Sequence, residues 1–127
     1  MLSRYQMKRG RPASELPAGV RQDTRKHTRH VLRPDPEPVA AYLAGDLTWE
    51  QFRSRYLDTV RARYRADPAP FDHLARLARQ GDLYLGCSCP TAAVPDVRRC
   101  HTWAALDFMA ATYADLEVRY PPVGERT

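Results

Sequence analysis

The amino-acid sequence predicts an α/β protein with a small, mostly parallel sheet flanked by helices. Short β-prone segments over about 20–25, 83–87 and 116–120 alternate with longer helical patterns. The last two segments enclose a helical pattern over about 101–113, which is the arrangement of a C-terminal βαβ unit with parallel strands. An apolar content of 43% beside 28% charged residues fits a globular domain of this class.

The length of 127 residues fits one domain. We expect a single α/β domain over 20–120, preceded by a basic arm or irregular N-terminus over 1–19 and followed by a tail over 121–127. A short first strand near residues 2–7 could lie within the arm, which otherwise mixes glycine, proline and charge.

Several function classes are disfavoured by composition. No run approaches the roughly 18 apolar residues of a membrane span, and the N-terminus lacks the apolar core of a signal peptide. Two of the three cysteines form a C-x-C pair that is too close to bridge without strain, which indicates a reducing, cytoplasmic compartment. We therefore expect no membrane partner, and the oligomeric state stays open.

The net charge of +5 is unevenly placed. Residues 1–33 carry nine lysines and arginines against two acidic residues, whereas residues 34–127 carry eleven against thirteen. A locally basic segment favours an anionic partner such as a phosphorylated small molecule or nucleic acid. Arginine outnumbers lysine 18 to 2, however, and GC-rich coding alone would produce that bias without selection for binding.

Local signals place the helices between the first two strands. A proline-rich connector leads into a short helix over about 38–44, and Thr48 with Gln51 has the form of a capping box that opens a long helix over about 49–65. Another helix should begin near Pro70 and end at Gly81 in a left-handed conformation. The apolar stripe of the long helix consists of Trp49, Phe52, Tyr56, Val60 and Tyr64.

Chemically capable side chains follow the ends of two predicted strands. Ligands bind beyond the carboxyl ends of parallel strands, so the segment from Asp23 and the segment from Cys87 should converge. Cys100 and His101, at the start of the last helix, are the expected catalytic pair, because a helix N-terminus favours a thiolate. The expected anion-binding residues are Asp23, Arg25, Lys26, Arg98 and Arg99.

The same stretch offers a ligand set for a metal: Cys87, Cys89, Cys100 and His101. A shell of three cysteines and one histidine is chemically sound for zinc. The C-x-C spacing is a poor match to zinc knuckles, and neighbouring Cys100 and His101 should point in different directions. Zinc is thus possible but not favoured, and a buried, structural role for Cys87 is a further alternative.

Three short motifs resemble the YeaO-like proteins, a family with a domain of unknown function (DUF 488). They are Asp23-Thr24-Arg25 after a strand, the W-x-x-F-x-x-x-Y pattern from Trp49 to Tyr56, and Cys100-His101-Thr102. The C-H-R of that family is C-H-T here, so a role for its arginine would fall to Arg98 or Arg99. The resemblance implies an α/β fold and a site at the strand ends, and no known activity.

The leading hypothesis is a small thiol-dependent enzyme that acts on a phosphorylated or nucleotide-like ligand, with Cys100 as the thiolate and His101 as its proton partner. The rival hypothesis is a non-catalytic module that binds nucleic acid or protein, in which the Cys/His cluster is structural or holds zinc.

Overall fold

A computed structural model, which describes residues 1–122, contains a three-stranded parallel sheet. Its strands are β1 (Leu2–Gln6), β2 (Val20–Asp23) and β3 (Leu83–Cys87), in the order β1-β3-β2. Leu83 of the central strand lies opposite Leu2 on one side and Val20 on the other. With four helices around this sheet, the predicted α/β class is confirmed.

The helices are α1 (Pro36–Leu43), α2 (Trp49–Ala66), α3 (Ala69–Gln80) and α4 (His101–Thr112). Short 3₁₀ turns cover Ala13–Glu15 and Val97–Arg99. Within residues 1–122, no helix combines the length and the apolarity needed to cross a bilayer. The helices pack with the sheet around one core, whose fully buried side chains include Leu32, Val60, Phe71, Leu83, Leu85, Leu106 and Met109.

Strand β1 lies in the segment that was expected to be an arm. Leu2 is fully buried, and five residues of β1 pair in register with β3. The short strand that the sequence allowed near residues 2–7 is therefore present within the segment 1–19. What the sequence does not show is that this strand carries a buried arginine, Arg4.

The expected final strand over 116–120 is reduced to a single parallel bridge between Leu2 and Val118. The Leu2 N–H donates to Glu117 O and the Arg119 N–H donates to Leu2 O, both at 2.8 Å. Beyond this bridge Tyr120 packs on Trp103 of α4, with ring centroids 4.9 Å apart. Pro121 then follows, and a proline cannot donate to a ladder. From residue 123 the expected tail lies outside the described residues.

Local helix signals account for the boundaries of α2. Thr48 Oγ1 accepts the Gln51 N–H at 3.1 Å and Gln51 Oε1 accepts the Thr48 N–H at 2.9 Å, so the capping box is confirmed. The left-handed conformation expected at Gly81 is wrong. Its φ of −175° is extended, because the chain passes almost directly from α3 into β3.

Replacing Tyr56 with phenylalanine should lower the free energy of unfolding by about 1–2 kcal/mol. The buried Tyr56 hydroxyl donates to the Leu32 carbonyl at 2.8 Å, and without it that buried carbonyl loses this partner. Urea unfolding followed by circular dichroism measures the change. Tyr42→Phe is the matched control, because its hydroxyl bonds to Arg99 O in an exposed place at 3.2 Å. Equal urea midpoints for the two variants would contradict the prediction.

Candidate functional site

The candidate site lies where β2 and β3 end beside the start of α4. Asp23 pairs with Gly86 in the sheet, and the next residue, Thr24, continues the pairing with its N–H 3.0 Å from Gly86 O. β3 ends one residue later at Cys87, and α4 begins at His101. The predicted convergence of the two strand ends is therefore present, at the edge where parallel sheets bind ligands.

Three cysteine sulfurs meet at this edge. The Sγ atoms of Cys87, Cys89 and Cys100 all lie within 4.8 Å of one another, and those of Cys87 and Cys89 are 4.0 Å apart. All three cysteines are free; Cys87 and Cys100 are buried and Cys89 is half-buried. We refer to these three sulfurs as the sulfur cluster. The loop over residues 88–99 folds back on the sheet, and this brings Cys100 to the C-x-C pair.

The buried ring of His101 stands beside the sulfur cluster. Its Nδ1 is 3.8 Å from the sulfurs of both Cys87 and Cys100. The Thr24 hydroxyl lies 3.0 Å from Gly86 O and 2.8 Å from His101 Nε2. Because that hydroxyl has one proton, donation to Gly86 O makes it the acceptor of an Nε2–H donor. The ring thus lies beside the Cys100 sulfur, while the ligand atoms within 4.8 Å of one another are the three cysteine sulfurs without this ring.

Charge in the cluster is concentrated at Cys100. Hydrogen bonds from the Cys87 and Cys89 thiols, followed by the proximity of His101, hold the pKa of Cys100 well below its usual value in spite of burial. The bond that the Cys89 thiol donates to Cys100 is the largest cause of a raised pKa at Cys89, followed by its hydrogen bond with Cys87 and by burial. Burial disfavours the charged form of His101, but the negative Cys100 sulfur outweighs burial and raises the pKa of the ring to about 10.

A buried arginine supports the cluster from β1. Arg4 is 6% exposed, and it donates through Nε to Thr102 Oγ1 at 3.0 Å and through Nη2 to Cys89 O at 2.8 Å. Thr102 Oγ1 in turn donates to the Cys100 sulfur at 3.2 Å. Within residues 1–122, no carboxylate pairs with Arg4. The cysteine sulfurs are thus the candidate anions for this buried cation.

The sulfur cluster forms the floor of an open pocket of about 280 Å³. Its rim is cationic and its wall is apolar. The rim contains Arg25, Lys26, His27 and Arg99, and the wall contains Pro34, Val39, Tyr42, Leu43, Phe52 and Val94. A second hollow of about 350 Å³ between α2 and α4 has no cysteine or histidine in its lining.

The predicted anion-binding residues divide into two groups. Arg25, Lys26 and Arg99 line the pocket. Asp23 does not line it, since its carboxylate binds the Arg25 guanidinium at 2.9 and 3.0 Å. Arg98 lies outside the pocket and is paired with Asp96 at 2.9 Å. In the described part of the chain Lys26 and Arg99 form no ion pair, so their charges are available to a ligand.

Sequence reasoning missed three residues of the site: Arg4, Thr24 and Thr102. Thr24 and Thr102 stand next to predicted site residues, and both are fully buried. Their role depends on hydroxyl partners that no spacing rule reveals. Arg4 lies in the possible strand near residues 2–7, and nothing in the sequence indicates that this arginine is buried.

No protein-family model matches the chain, and neither the curated proteins nor the solved structures contain a match. The resemblance to the YeaO-like proteins therefore stays a prediction.

Proposed function

We propose that this protein is a small enzyme that acts on a phosphorylated or nucleotide-like ligand bound in the pocket over the sulfur cluster. One observation carries the proposal: cationic side chains and the Cys/His group line the same cavity. Active sites combine an anchoring charge with reactive groups in one concave place. Cys100 and His101 stand at its reacting end.

Lys26 and Arg99, which form no ion pair within residues 1–122, suit the anionic group of such a ligand. Lys26 and Arg99 come from the β2 end and the 3₁₀ turn before α4, so they reach the pocket mouth from separate elements. Arg25 is held by Asp23 and also lies 3.4 Å from the Ser88 hydroxyl, which fixes its position at the rim. Charge-assisted bonds from such groups are the usual means of phosphate recognition.

The apolar wall suits the body of the ligand. Tyr42 and Phe52 are stacked with ring centroids 5.0 Å apart, and both line the pocket. Leu43, at the end of α1, lines it as well and is 52% exposed. An exposed leucine beside aromatic rings favours a ligand with a flat apolar part, such as a nucleobase, over free phosphate.

The rival hypothesis is a non-catalytic module that binds nucleic acid or protein, in which the Cys/His cluster is structural or binds zinc. The positive charge of residues 1–33 favours nucleic acid as its partner. Its signature would be affinity that falls steeply with salt and does not depend on the pocket residues.

Replacing Lys26 or Arg99 with alanine should weaken binding of adenosine monophosphate about tenfold each, the effect of losing one charge-assisted bond worth roughly 1.4 kcal/mol. Isothermal titration calorimetry at fixed salt measures this. Arg98→Ala is the matched control, because Arg98 is the adjacent arginine and is paired with Asp96 outside the pocket.

Three outcomes would count against the proposed enzyme. One is a wild-type chain that binds neither the mononucleotide nor inorganic phosphate. Another is equal loss in the Arg98 and Arg99 variants. The third is tight, salt-dependent binding of a single-stranded oligonucleotide that the Lys26 and Arg99 variants leave unchanged, which would favour the rival module.

A further inference from the structure

The separation of the three sulfurs matches that of ligands around one metal ion. A zinc–thiolate bond is about 2.3 Å, so tetrahedral ligands lie roughly 3.8 Å apart. The sulfurs of Cys87 and Cys89 are 4.0 Å apart, and Cys100 keeps all three within 4.8 Å. Shifts of less than about 1 Å would therefore close the triangle on an ion. The objection drawn from C-x-C spacing does not hold, because the fold supplies the third sulfur from across the loop.

We propose that Cys87, Cys89 and Cys100 bind one zinc ion whose fourth coordination position faces the pocket. All three side chains line that pocket, so a ligand in it reaches the metal from the open side. The metal site is argued from the three sulfurs alone, and with the ion bound Cys100 is a ligand rather than a free thiolate nucleophile. Only the role of the fourth position, as the place where an anionic ligand meets the ion, rests on the proposed function.

Charge balance around the cluster supports the zinc site. Three thiolates and one Zn²⁺ leave a net charge of −1 in a buried place. Arg4 is a buried cation with no carboxylate partner in the described chain, and its hydrogen bonds reach Thr102 Oγ1 and Cys89 O at the cluster. A buried charge is costly unless it is compensated, and these two compensate each other.

Hydrogen bonds around the sulfurs also have the form of an outer shell. Thr102 Oγ1 donates to the Cys100 sulfur at 3.2 Å, and Arg4 orients Thr102. Outer-shell groups of this kind hold metal ligands in position and tune the ion. This support of the Cys100 sulfur is consistent with its role as a metal ligand.

His101 is placed beside the ion rather than in its ligand set. Its Nδ1 lies 3.8 Å from two of the sulfurs, but the set of ligand atoms within 4.8 Å of one another contains the three cysteines and not this ring. Thr24 holds the other ring nitrogen at 2.8 Å. With three protein ligands and one open position, the site is of the catalytic type, in which zinc acts as a Lewis acid toward a bound oxygen.

The experiment measures zinc on the full-length chain, purified without chelator and without any pocket ligand. We expect about one zinc per chain by elemental analysis. Cys89→Ser should lower zinc affinity more than about 100-fold, because loss of an outer-shell partner alone costs 10–100-fold. His101→Ala should keep about one equivalent of zinc.

Cobalt substitution should give thiolate-to-metal charge-transfer absorption. Adding inorganic phosphate or adenosine monophosphate should change the ligand-field bands of the bound cobalt.

Cysteine variants that fail to fold do not block the test, since wild-type protein stripped by chelator can be titrated back with zinc while circular dichroism monitors the fold. Zinc well below one equivalent, before and after this titration, would overturn the proposal. So would stoichiometric iron with acid-labile sulfide, or loss of zinc in His101→Ala equal to that in Cys89→Ser. An unchanged cobalt spectrum with either ligand would overturn the open position. Zinc binding by a chain that binds neither ligand would support the metal site and count against the proposed function. Ligand binding by zinc-free protein would support the proposed function without the metal.

Discussion

A chain that lacks residues 1–7 should fail to fold. Its missing strand, β1, pairs with the central strand over five residues and also bridges to Val118. Burial of Leu2 alone contributes about 1.5–3 kcal/mol, and the lost ladder adds to a total that is large beside the usual stability of a small domain, about 5–15 kcal/mol. Far-ultraviolet circular dichroism and urea unfolding would show the loss of a cooperative transition.

The matched control separates the strand from the charge of this segment. Lys8 and Arg9 are exposed and follow β1, so replacing both with serine removes two positive charges and keeps the strand. We expect this variant to unfold at the wild-type urea concentration, within about 0.5 kcal/mol. Cooperative unfolding of the truncated chain at the wild-type midpoint would show that β1 is dispensable.

The role of β1 also determines how nucleic-acid binding must be tested. Deleting residues 1–19 would remove both a basic segment and a strand of the sheet, and any lost affinity could reflect unfolding. The double serine variant at Lys8 and Arg9 changes charge alone. A reduced salt dependence in that variant would assign the contact to these residues.

Replacing Arg4 with methionine should lower zinc affinity about 10–100-fold. Methionine fills much of the same volume, but the zinc-loaded cluster would lose its cationic partner and Thr102 would lose its Arg4 Nε donor. In zinc-free protein the same change should also lower the free energy of unfolding, because Thr102 Oγ1 and Cys89 O lose a buried donor. Competition with a chromophoric chelator measures affinity, and urea unfolding of both forms measures stability.

Arg11→Met is the control for this prediction. Arg11 follows the same strand, but it donates to Gln6 O at 2.9 Å and to Gln6 Oε1 at 3.1 Å and has no contact with the cluster. We expect its zinc affinity to be unchanged. If Arg4→Met binds zinc as tightly as Arg11→Met, Arg4 does not compensate the charge of a metal–thiolate centre.

The sequence alone determined the helix boundaries and strand ends that depend on a few neighbouring residues. The capping box at Thr48 and Gln51 and the apolar stripe of α2 are local, so the helix was predicted almost to its last residue. β3 ends at Cys87, as its β-prone run ahead of Pro90 indicates. Two strand ends in a parallel sheet share one edge, and this rule was enough to place the candidate site.

The tertiary structure decided what depends on residues far apart in the chain. Whether Leu2–Gln6 is an arm or a strand depends on β3, which lies about eighty residues later. The final segment forms a single bridge to Leu2, and beyond it Tyr120 packs on Trp103 of α4. The separation of the three sulfurs depends on how the loop before Cys100 folds back, and the pairing of Arg4 with them depends on the sheet order. The C-x-C spacing in the sequence therefore disfavoured a metal, whereas the distances between the three sulfurs favour one. Ligand geometry depends on residues that the fold brings together, and sequence spacing does not show it.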